Sequence, residues 1–307
     1  MDIEKYLKEL KSEKIRQAVS VQSKVIQAAR DFLAGEGFVE ILPVIISPIT
    51  DPLTDYRLRG EVECYGFKYQ ITKSMIFHKQ IAVLSFPRIY CFSPNVRIEP
   101  VERKNSGCHL IEFVQLDLEV RGATREEIME LGERLFAYLI YRIKKAGLEE
   151  LKYFGRELPD FVPPFPRISY EQAKASYGEN FETVLSRDFS QPVWLTDFPM
   201  EVREFYDRQD EKRPGTLVDM DLIYPEGFGE ALSGGEREYQ CQKIRRRIQE
   251  KGINLEAYDL YLKLAESGLY PSAGFGFGIE RLTRFICGLQ DIGETRLFAK
   301  KPGVLSL

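Results

Sequence analysis

The segment Ser272–Gly288, which reads SAGFGFGIERLTRFICG, restricts the possible fold more than any other part of the chain. Glycine alternates with other residues as far as Gly278, and apolar residues then follow helical spacing through Ile286, so a strand leads directly into a helix. Alternate glycines leave one face of the strand bare, so a flat ring can lie against the backbone. Arg281 on the following helix can cover that ring. The segment therefore predicts the floor of a nucleotide site.

A dinucleotide-binding fingerprint is a competing interpretation of the same glycines. The pattern is GxGxG followed at once by Glu280 and Arg281, and no βαβ unit or acidic ribose partner follows in the sequence. The sequence therefore disfavours a dinucleotide-binding fold. A second alternative, in which the glycines only permit close packing, stays open.

The order of elements predicts an α+β fold with a mainly antiparallel sheet flanked by helices, because strands occur in adjacent pairs as often as they alternate with helices. We expect helices over 4–35, 74–84, 124–145, 235–251 and 254–267, and strands over 38–47, 61–72, 88–99, 112–120, 192–199 and 217–225, with a loop over 47–55. Pro43 suits an edge strand or an interface. Residues 153–168 are predicted to be a surface connection, and about 169–190 a small helical insertion.

A second group of polar residues surrounds a predicted strand pair. Arg97, at the end of one strand, can form a bidentate hydrogen bond to an α-phosphate. The loop bearing Arg103, Lys104 and His109 can reach the outer phosphates. The returning strand presents a ring, an amide and two carboxylates on one face at period two: Phe113, Gln115, Asp117 and Glu119. These groups suit a base, an amino acid and its ammonium group.

A third segment contains Asp221 and then Glu230, Ser233 and Arg237. Carboxylates on neighbouring strands supply the hard oxygen ligands that Mg²⁺ takes when it also binds phosphates. The segment therefore predicts a metal site at Asp221, Glu230 and Ser233, with ordinary solvent-exposed carboxylates as the alternative.

Three segments resemble, in chain order, the three signature motifs of class II aminoacyl-tRNA synthetases, and the likeness runs from about residue 14 to 303. Arg97-x-Glu99 through Phe113 resembles motif 2, and GxGxGxER resembles motif 3. Pro43 after the long helix resembles motif 1. The strand that begins at His109 and the Glu-x-x-Ser-Gly-x-x-Arg segment at Glu230 resemble the aspartyl/asparaginyl branch. The resemblance implies adenylate formation with ATP as substrate and Mg²⁺ as cofactor. It also implies a homodimer built through motif 1.

Within that branch, the sequence begins essentially at the first core helix, and no anticodon-binding barrel precedes it. The chain then resembles the archaeal asparagine synthetases related to asparaginyl-tRNA synthetase. That resemblance implies a single catalytic domain over 1–307 without an anticodon-binding domain, and an aspartate–ammonia ligase that converts aspartate, ATP and ammonia to asparagine, AMP and pyrophosphate through a β-aspartyl adenylate. It makes tRNA an improbable partner. The alternatives are a stand-alone aminoacylating enzyme of the aspartyl/asparaginyl type and a non-catalytic regulatory paralogue.

The resemblance also assigns roles to individual residues. ATP is expected to contact Arg97, Glu99, His109, Leu110, Phe113, Glu230, Gly278 and Arg281. The amino-acid substrate is expected to contact Asp51, Ser74, Lys79, Gln115, Asp117, Ser233, Arg237 and Gly274. Arg97, Arg281 and Lys79 are the expected catalytic residues. Lys79 and Arg237 together would complement a carboxylate of aspartate, although a lysine on a helix is more often merely solvated.

Composition narrows the remaining possibilities. Lys and Arg number 43 against 47 Asp and Glu, so no basic field covers the whole surface. The N-terminus has no signal-peptide pattern, and the apolar runs are far shorter than the roughly 20 residues that span a bilayer. The five cysteines are far apart and form no CxxC pair. We expect a soluble cytoplasmic protein with reduced thiols and no membrane partner.

Overall fold

A computed structural model describes residues 3–53 and 60–307. Its helices are α1 Ile3–Leu10, α2 Glu13–Gly35, α3 Ile76–Ala82, α4 Arg125–Ala146, α5 Leu148–Tyr153, α6 Tyr170–Tyr177, α7 Phe181–Asp188, α8 Cys241–Glu250, α9 Asp259–Gly268 and α10 Ile279–Cys287. Its strands are β1 Val39–Glu40, β2 Ile46–Ser47, β3 Glu61–Cys64, β4 Phe67–Ile71, β5 Arg88–Val96, β6 Glu112–Arg121, β7 Arg167–Ser169, β8 Val193–Thr196, β9 Asp219–Tyr224, β10 Gly229–Glu236 and β11 Ser272–Gly278. The end of the predicted loop 47–55, from residue 54, lies outside the described residues.

Eight of these strands form one large sheet in the order β1-β5-β6-β11-β10-β9-β8-β7. The pairs at its two edges, β1 with β5 and β7 with β8, are parallel, and every other pair in it is antiparallel. A second sheet has the order β2-β4-β3. The predicted α+β fold with a mainly antiparallel sheet flanked by helices is therefore confirmed.

The two faces of the large sheet have different chemistry because strand residues alternate. Leu116 and Leu118 of β6 and Phe275 and Phe277 of β11 face a core shared with α2, α4 and α10. Phe136 of α4 lies inside this core and stacks on Phe277 at 6.4 Å between ring centroids. The intervening residues of β6 and β11 face the other way, and they form the polar surface that carries the candidate site.

A second hydrophobic cluster supports that polar surface from the side. Phe77 of α3 packs against Phe205 and against Tyr261 of α9, with centroids 5.7 and 4.6 Å apart. Ile244 of α8 belongs to the same cluster. The cluster therefore fixes α3, α8 and the segment around Phe205 next to the polar face.

Three predicted elements are wrong in extent. The helix predicted over 4–35 is interrupted at Lys11 and Ser12, where α1 ends and α2 begins. The helix predicted from Gly235 begins only at Cys241, because Gly235 belongs to β10 and lies so close to β9 that a Cβ there would come within 2.9 Å of the Cα of Asp219. The strand predicted over 38–47 divides into β1, at the edge of the large sheet, and β2, in the second sheet, and Pro43 lies between them rather than in a strand.

The stretch 153–168 is also more than a surface connection. Phe161 and Phe165 are buried, and their rings lie 5.3 and 6.0 Å from the ring of Phe136 between centroids. The aromatic residues of this stretch therefore complete the main core. The predicted helical insertion is present as α6 and α7.

None of the helices in the described part of the chain combines the length and the apolar character that a membrane crossing requires.

Candidate active site

Two adjoining cavities open on the polar face of the large sheet. One has a volume of about 260 Å³ and the other about 440 Å³. Arg97, Gln115 and Glu230 line both of them. Molecules bound in the two cavities would therefore meet at these three side chains.

The larger cavity brings together all of the residues expected to bind ATP. These are Arg97, Glu99, His109, Leu110, Phe113, Glu230, Gly278 and Arg281. The guanidinium of Arg97 lies over the ring of Phe113, 5.1 Å from its centroid. Across the cavity, Nη1 of Arg281 lies 3.2 Å from Oε1 of Glu230. The cavity therefore offers an aromatic ring and two arginines to a nucleotide.

The ionisation of Glu230 depends on those arginines. Burial alone would raise the pKa of this carboxyl, but Arg281, Arg203 and Arg97 outweigh burial and lower the pKa below its usual value. Glu230 is therefore a carboxylate at neutral pH and can act as an oxygen ligand.

His109 lies in the same cavity as a neutral imidazole. Burial, together with the charges of Arg281 and Arg103, lowers its pKa to about 4. Its Nδ1 lies 2.7 Å from Oγ of Ser106, and its Nε2 lies 3.1 Å from Nη1 of Arg103. A phosphate at this position would therefore meet a neutral ring rather than a cation.

The smaller cavity contains seven of the eight residues expected to contact the amino acid: Asp51, Ser74, Lys79, Gln115, Asp117, Ser233 and Arg237. The carboxylate of Asp51 is buried, and its Oδ2 accepts hydrogen bonds from Ser74 Oγ and Tyr206 OH, both at 3.0 Å. A buried carboxylate held in this way suits a substrate ammonium group.

Two cations of the smaller cavity, Lys79 and Arg237, are already paired. Lys79 Nζ lies 3.0 Å from Asp117 Oδ1 and donates to Phe275 O at 3.0 Å. Arg237 pairs with Glu119 and Asp207, each at 3.2 Å. Each cation therefore has a carboxylate partner before any substrate enters.

Gly274 and Asp221 line neither cavity. The carbonyl of Gly274 accepts from Arg237 Nη2 at 2.8 Å, and a Cβ on Gly274 would lie 2.1 Å from Leu118 O. This glycine allows β11 to approach β6 closely, which is the packing alternative raised for the glycine segment. Gly276 and Gly278 line the smaller and the larger cavity, respectively.

The expected metal ligands come from two neighbouring strands. Asp221 of β9 and Ser233 of β10 are direct cross-strand partners, and Glu230 is at the start of β10. Asp221 is only 5% exposed, and its Oδ1 makes no hydrogen bond within the described residues. A buried oxygen without a partner and a nearby carboxylate suit a hard cation. The described residues contain no group of three or more His, Cys, Asp or Glu that could hold a metal alone, so phosphate oxygens would have to complete the shell.

Several residues of the site were missed at the level of sequence. Arg203, Tyr206 and Asp207 line the smaller cavity, and Glu182 of α7 lines the larger one. The first three belong to the run REFYDR, in which charged and aromatic residues are concentrated. That concentration could have indicated a binding segment. Glu182 had no such signal, because it lies in an ordinary amphipathic helix.

The comparisons with known proteins agree with this geometry. A family model described as tRNA synthetases class II (D, K and N) matches residues 2–302. The asparagine–tRNA ligase of Thermus thermophilus is 32% identical over 304 residues, which cover 91% of this chain and 68% of the relative. That of Thermococcus gammatolerans is 28% identical, covering 96% of this chain and 71% of the relative.

A solved structure extends the likeness to three dimensions. The asparaginyl-tRNA synthetase of Pyrococcus horikoshii, complexed with asparaginyl-adenylate, superposes with a TM-score of 0.89 at 28% identity, covering 96% of this chain and 71% of that one. The expectation of an aspartate–ammonia ligase is contradicted, because the relatives are named asparagine–tRNA ligases. The expectation that tRNA is an improbable partner loses its support for the same reason. The chain belongs to the class II tRNA synthetases of the D, K and N family.

Proposed function

We propose that this chain activates asparagine with ATP and transfers the asparaginyl group to tRNA. The observation that carries the proposal is the wall shared by the two cavities. Arg97, Gln115 and Glu230 line both, so an amino acid in the smaller cavity would lie against the α-phosphate of a nucleotide in the larger one. Holding two reactants in that way supplies a large part of the rate enhancement of a bimolecular reaction.

In the activation step, an oxygen of the substrate α-carboxylate forms a bond to the α-phosphorus of ATP. The bond between the α-phosphorus and the bridging oxygen breaks, and pyrophosphate leaves with that electron pair. Arg97 and Arg281 stabilise the charge that develops on the phosphates. Asp221, Glu230 and Ser233 would hold Mg²⁺, which would supply further neutralisation of phosphate charge. Asp51 holds the substrate ammonium group.

The choice of asparagine over aspartate is supported by the charges of the smaller cavity. Lys79 is 3.0 Å from Asp117, and Arg237 is 3.2 Å from both Glu119 and Asp207. A neutral amide leaves these pairs intact, whereas a second carboxylate would compete for a cation that already has a partner. Aspartate is the second candidate, because Lys79 lines the cavity and could exchange its pair with Asp117 for a pair with the substrate side-chain carboxylate.

The test is the charging of tRNA with radiolabelled asparagine or aspartate in the presence of ATP and Mg²⁺. We expect acid-precipitable label from asparagine, lost when ATP is omitted or Arg97 is replaced by Gln. Label from aspartate alone would replace the proposed substrate with the second candidate. Label from neither amino acid would refute the proposed transfer.

We also propose a homodimer formed through the edge of the large sheet at β1. Leu42 and Ile45 flank Pro43 there and are 90% and 61% exposed. Covering them would remove apolar surface from water. In this assembly, residues 1–307 act as one synthetase-like catalytic domain with α6 and α7 as its insertion.

A further inference from the structure

Arg203 is a partly buried cation that lies between the smaller cavity and the expected metal ligands. Its guanidinium stacks on the ring of Phe198, 3.7 Å from the centroid, and its Nε donates to Asp219 Oδ2 at 3.0 Å. Its Nη2 lies 2.6 Å from Asp221 Oδ2, and its Nη1 lies 3.4 Å from Ser233 Oγ. One side chain therefore contacts two of the three expected metal ligands.

The backbone around Arg203 is held independently of those contacts. Arg247 of α8 donates to the carbonyl of Glu204 at 2.9 Å and also to that of Asp207. The ring of Phe205 is fully buried in the second hydrophobic cluster. The guanidinium is therefore anchored from its own segment, as well as by Phe198 and Asp219.

The two oxygens of Asp221 are in different states. Oδ2 is ion-paired to Arg203, whereas Oδ1 is buried and has no hydrogen-bond partner within the described residues. An ion pair at this distance draws Oδ2 toward the guanidinium. Arg203 therefore holds Oδ2 of Asp221 and leaves Oδ1 as its available oxygen.

From this geometry we infer that Arg203 is a positioning residue for the divalent cation. It holds Asp221 and Ser233 in the orientation in which Oδ1 of Asp221 and the remaining lone pair of Ser233 Oγ can ligate Mg²⁺, and it does not bind the metal itself. The inference rests on the proposed function, since that function supplies the cation and the phosphates. Groups that orient metal ligands typically change metal affinity by about 10-fold to 100-fold when they are removed.

The experiment measures Mn²⁺ binding by the electron paramagnetic resonance of free Mn²⁺, in the presence of α,β-methylene-ATP, which cannot release pyrophosphate. We expect Arg203→Gln and Arg203→Lys to weaken Mn²⁺ binding by roughly 10-fold or more. The lysine variant keeps the charge but cannot hold both groups, so it separates orientation from charge. Arg213→Gln is the matched control, since this exposed arginine pairs with Asp197 and Asp210 away from both cavities.

A variant of Asp219 tests the same inference if the Arg203 variants do not fold. Asp219→Asn removes the charge that holds Nε of Arg203 and leaves the expected ligands unchanged, so it should weaken Mn²⁺ binding in the same direction by a smaller factor. A merely structural role would lower the melting temperature without changing Mn²⁺ affinity. If folded Arg203→Gln and Asp219→Asn bind Mn²⁺ as tightly as the wild type or more tightly, the inference about Arg203 is overturned and the proposed function is not. A wild-type protein that binds no Mn²⁺ with the analogue overturns the proposed function together with it.

Discussion

Glu182 shows how the shape of the nucleotide cavity controls the charge of one residue. Ser186 lies one turn later on α7, where its Oγ donates to Tyr224 O at 2.6 Å and accepts from Gly229 N at 2.9 Å. This anchor places Glu182 in the cavity wall. Although Glu182 is still exposed to solvent, partial loss of hydration at the cavity wall, and then the charges of Asp221 and Glu230, raise its pKa to about 7.

This raised pKa predicts a pH-dependent effect of Glu182→Gln on stability. A carboxyl whose pKa is higher in the folded state than in the unfolded state lowers the free energy of unfolding as the pH rises. For Glu182 this loss is small at pH 4.5 and grows up to about pH 7, where the folded protein releases the proton. The variant should therefore melt higher than wild type at pH 8 and at nearly the same temperature at pH 4.5. Thermal unfolding at both values checks this, with Glu179→Gln on the same insertion as control. An equal difference at both pH values would refute the assignment.

Arg281 gives a second prediction at the residue scale. It lines the nucleotide cavity and faces Glu230 at 3.2 Å, so it is placed to stabilise charge on the phosphates. Arg281→Gln should lower amino-acid activation by roughly 100-fold or more, the usual loss when one such donor is removed. Activation rates at saturating amino acid provide the measurement. Arg134→Gln, which removes contacts with Glu36 and the Phe32 ring that belong to neither cavity, should retain the wild-type rate. An Arg281→Gln enzyme that also retains it would contradict the role.

The sequence predicted residues that line the cavities where a repeating pattern defined the direction of their side chains. Alternation along β6 was enough to put Gln115 and Asp117 on one face. Arg203 and Glu182 were missed, because their directions depend on the docking of irregular or inserted segments against β9 and β10. Such docking is a tertiary contact that local spacing does not contain.

Among the elements, β11 has a sequence that is tightly restricted by its neighbours. A Cβ on Gly274 would lie 2.1 Å from Leu118 O, whereas a Cβ on Gly278 would meet only the side chain of Arg281, at 3.6 Å. We expect Gly274→Ala to lower the free energy of unfolding by about 1–3 kcal/mol or more, because the strands must move apart. Gly278→Ala, the matched control, should change it by less than about 0.5 kcal/mol. Urea unfolding measures both, and equal stabilities of the two variants would contradict the packing argument.

Helices and strands were predicted correctly where a single periodic pattern ran through the whole element. The helix α4 begins at the Thr124 capping box, and the strand pair β5 and β6 follows the expected alternation. It failed at Gly235, where a glycine-rich strand was taken for the start of a helix. The reason for those glycines is the close approach of β9 and β11, which appears only when the sheet has formed.

At the scale of the whole molecule, the exposed apolar residues at the sheet edge predict the assembly. Replacing Leu42 and Ile45 together by Asp should convert a dimer to a monomer at micromolar concentration, because two charges would have to be buried in the interface. Sedimentation velocity distinguishes the two states. Val162→Asp, at another exposed apolar residue, is the control and should remain dimeric. A double variant that sediments as the wild-type dimer would place the interface elsewhere.

The central claim is that the two joined cavities activate an amino acid with ATP. It is tested most directly by the exchange of radiolabelled pyrophosphate into ATP with asparagine, with aspartate and with no amino acid, before any tRNA is added. We expect exchange that requires Mg²⁺ and asparagine and that falls to background in the Arg97→Gln protein. Exchange with no amino acid, or the absence of exchange with both amino acids, would contradict it.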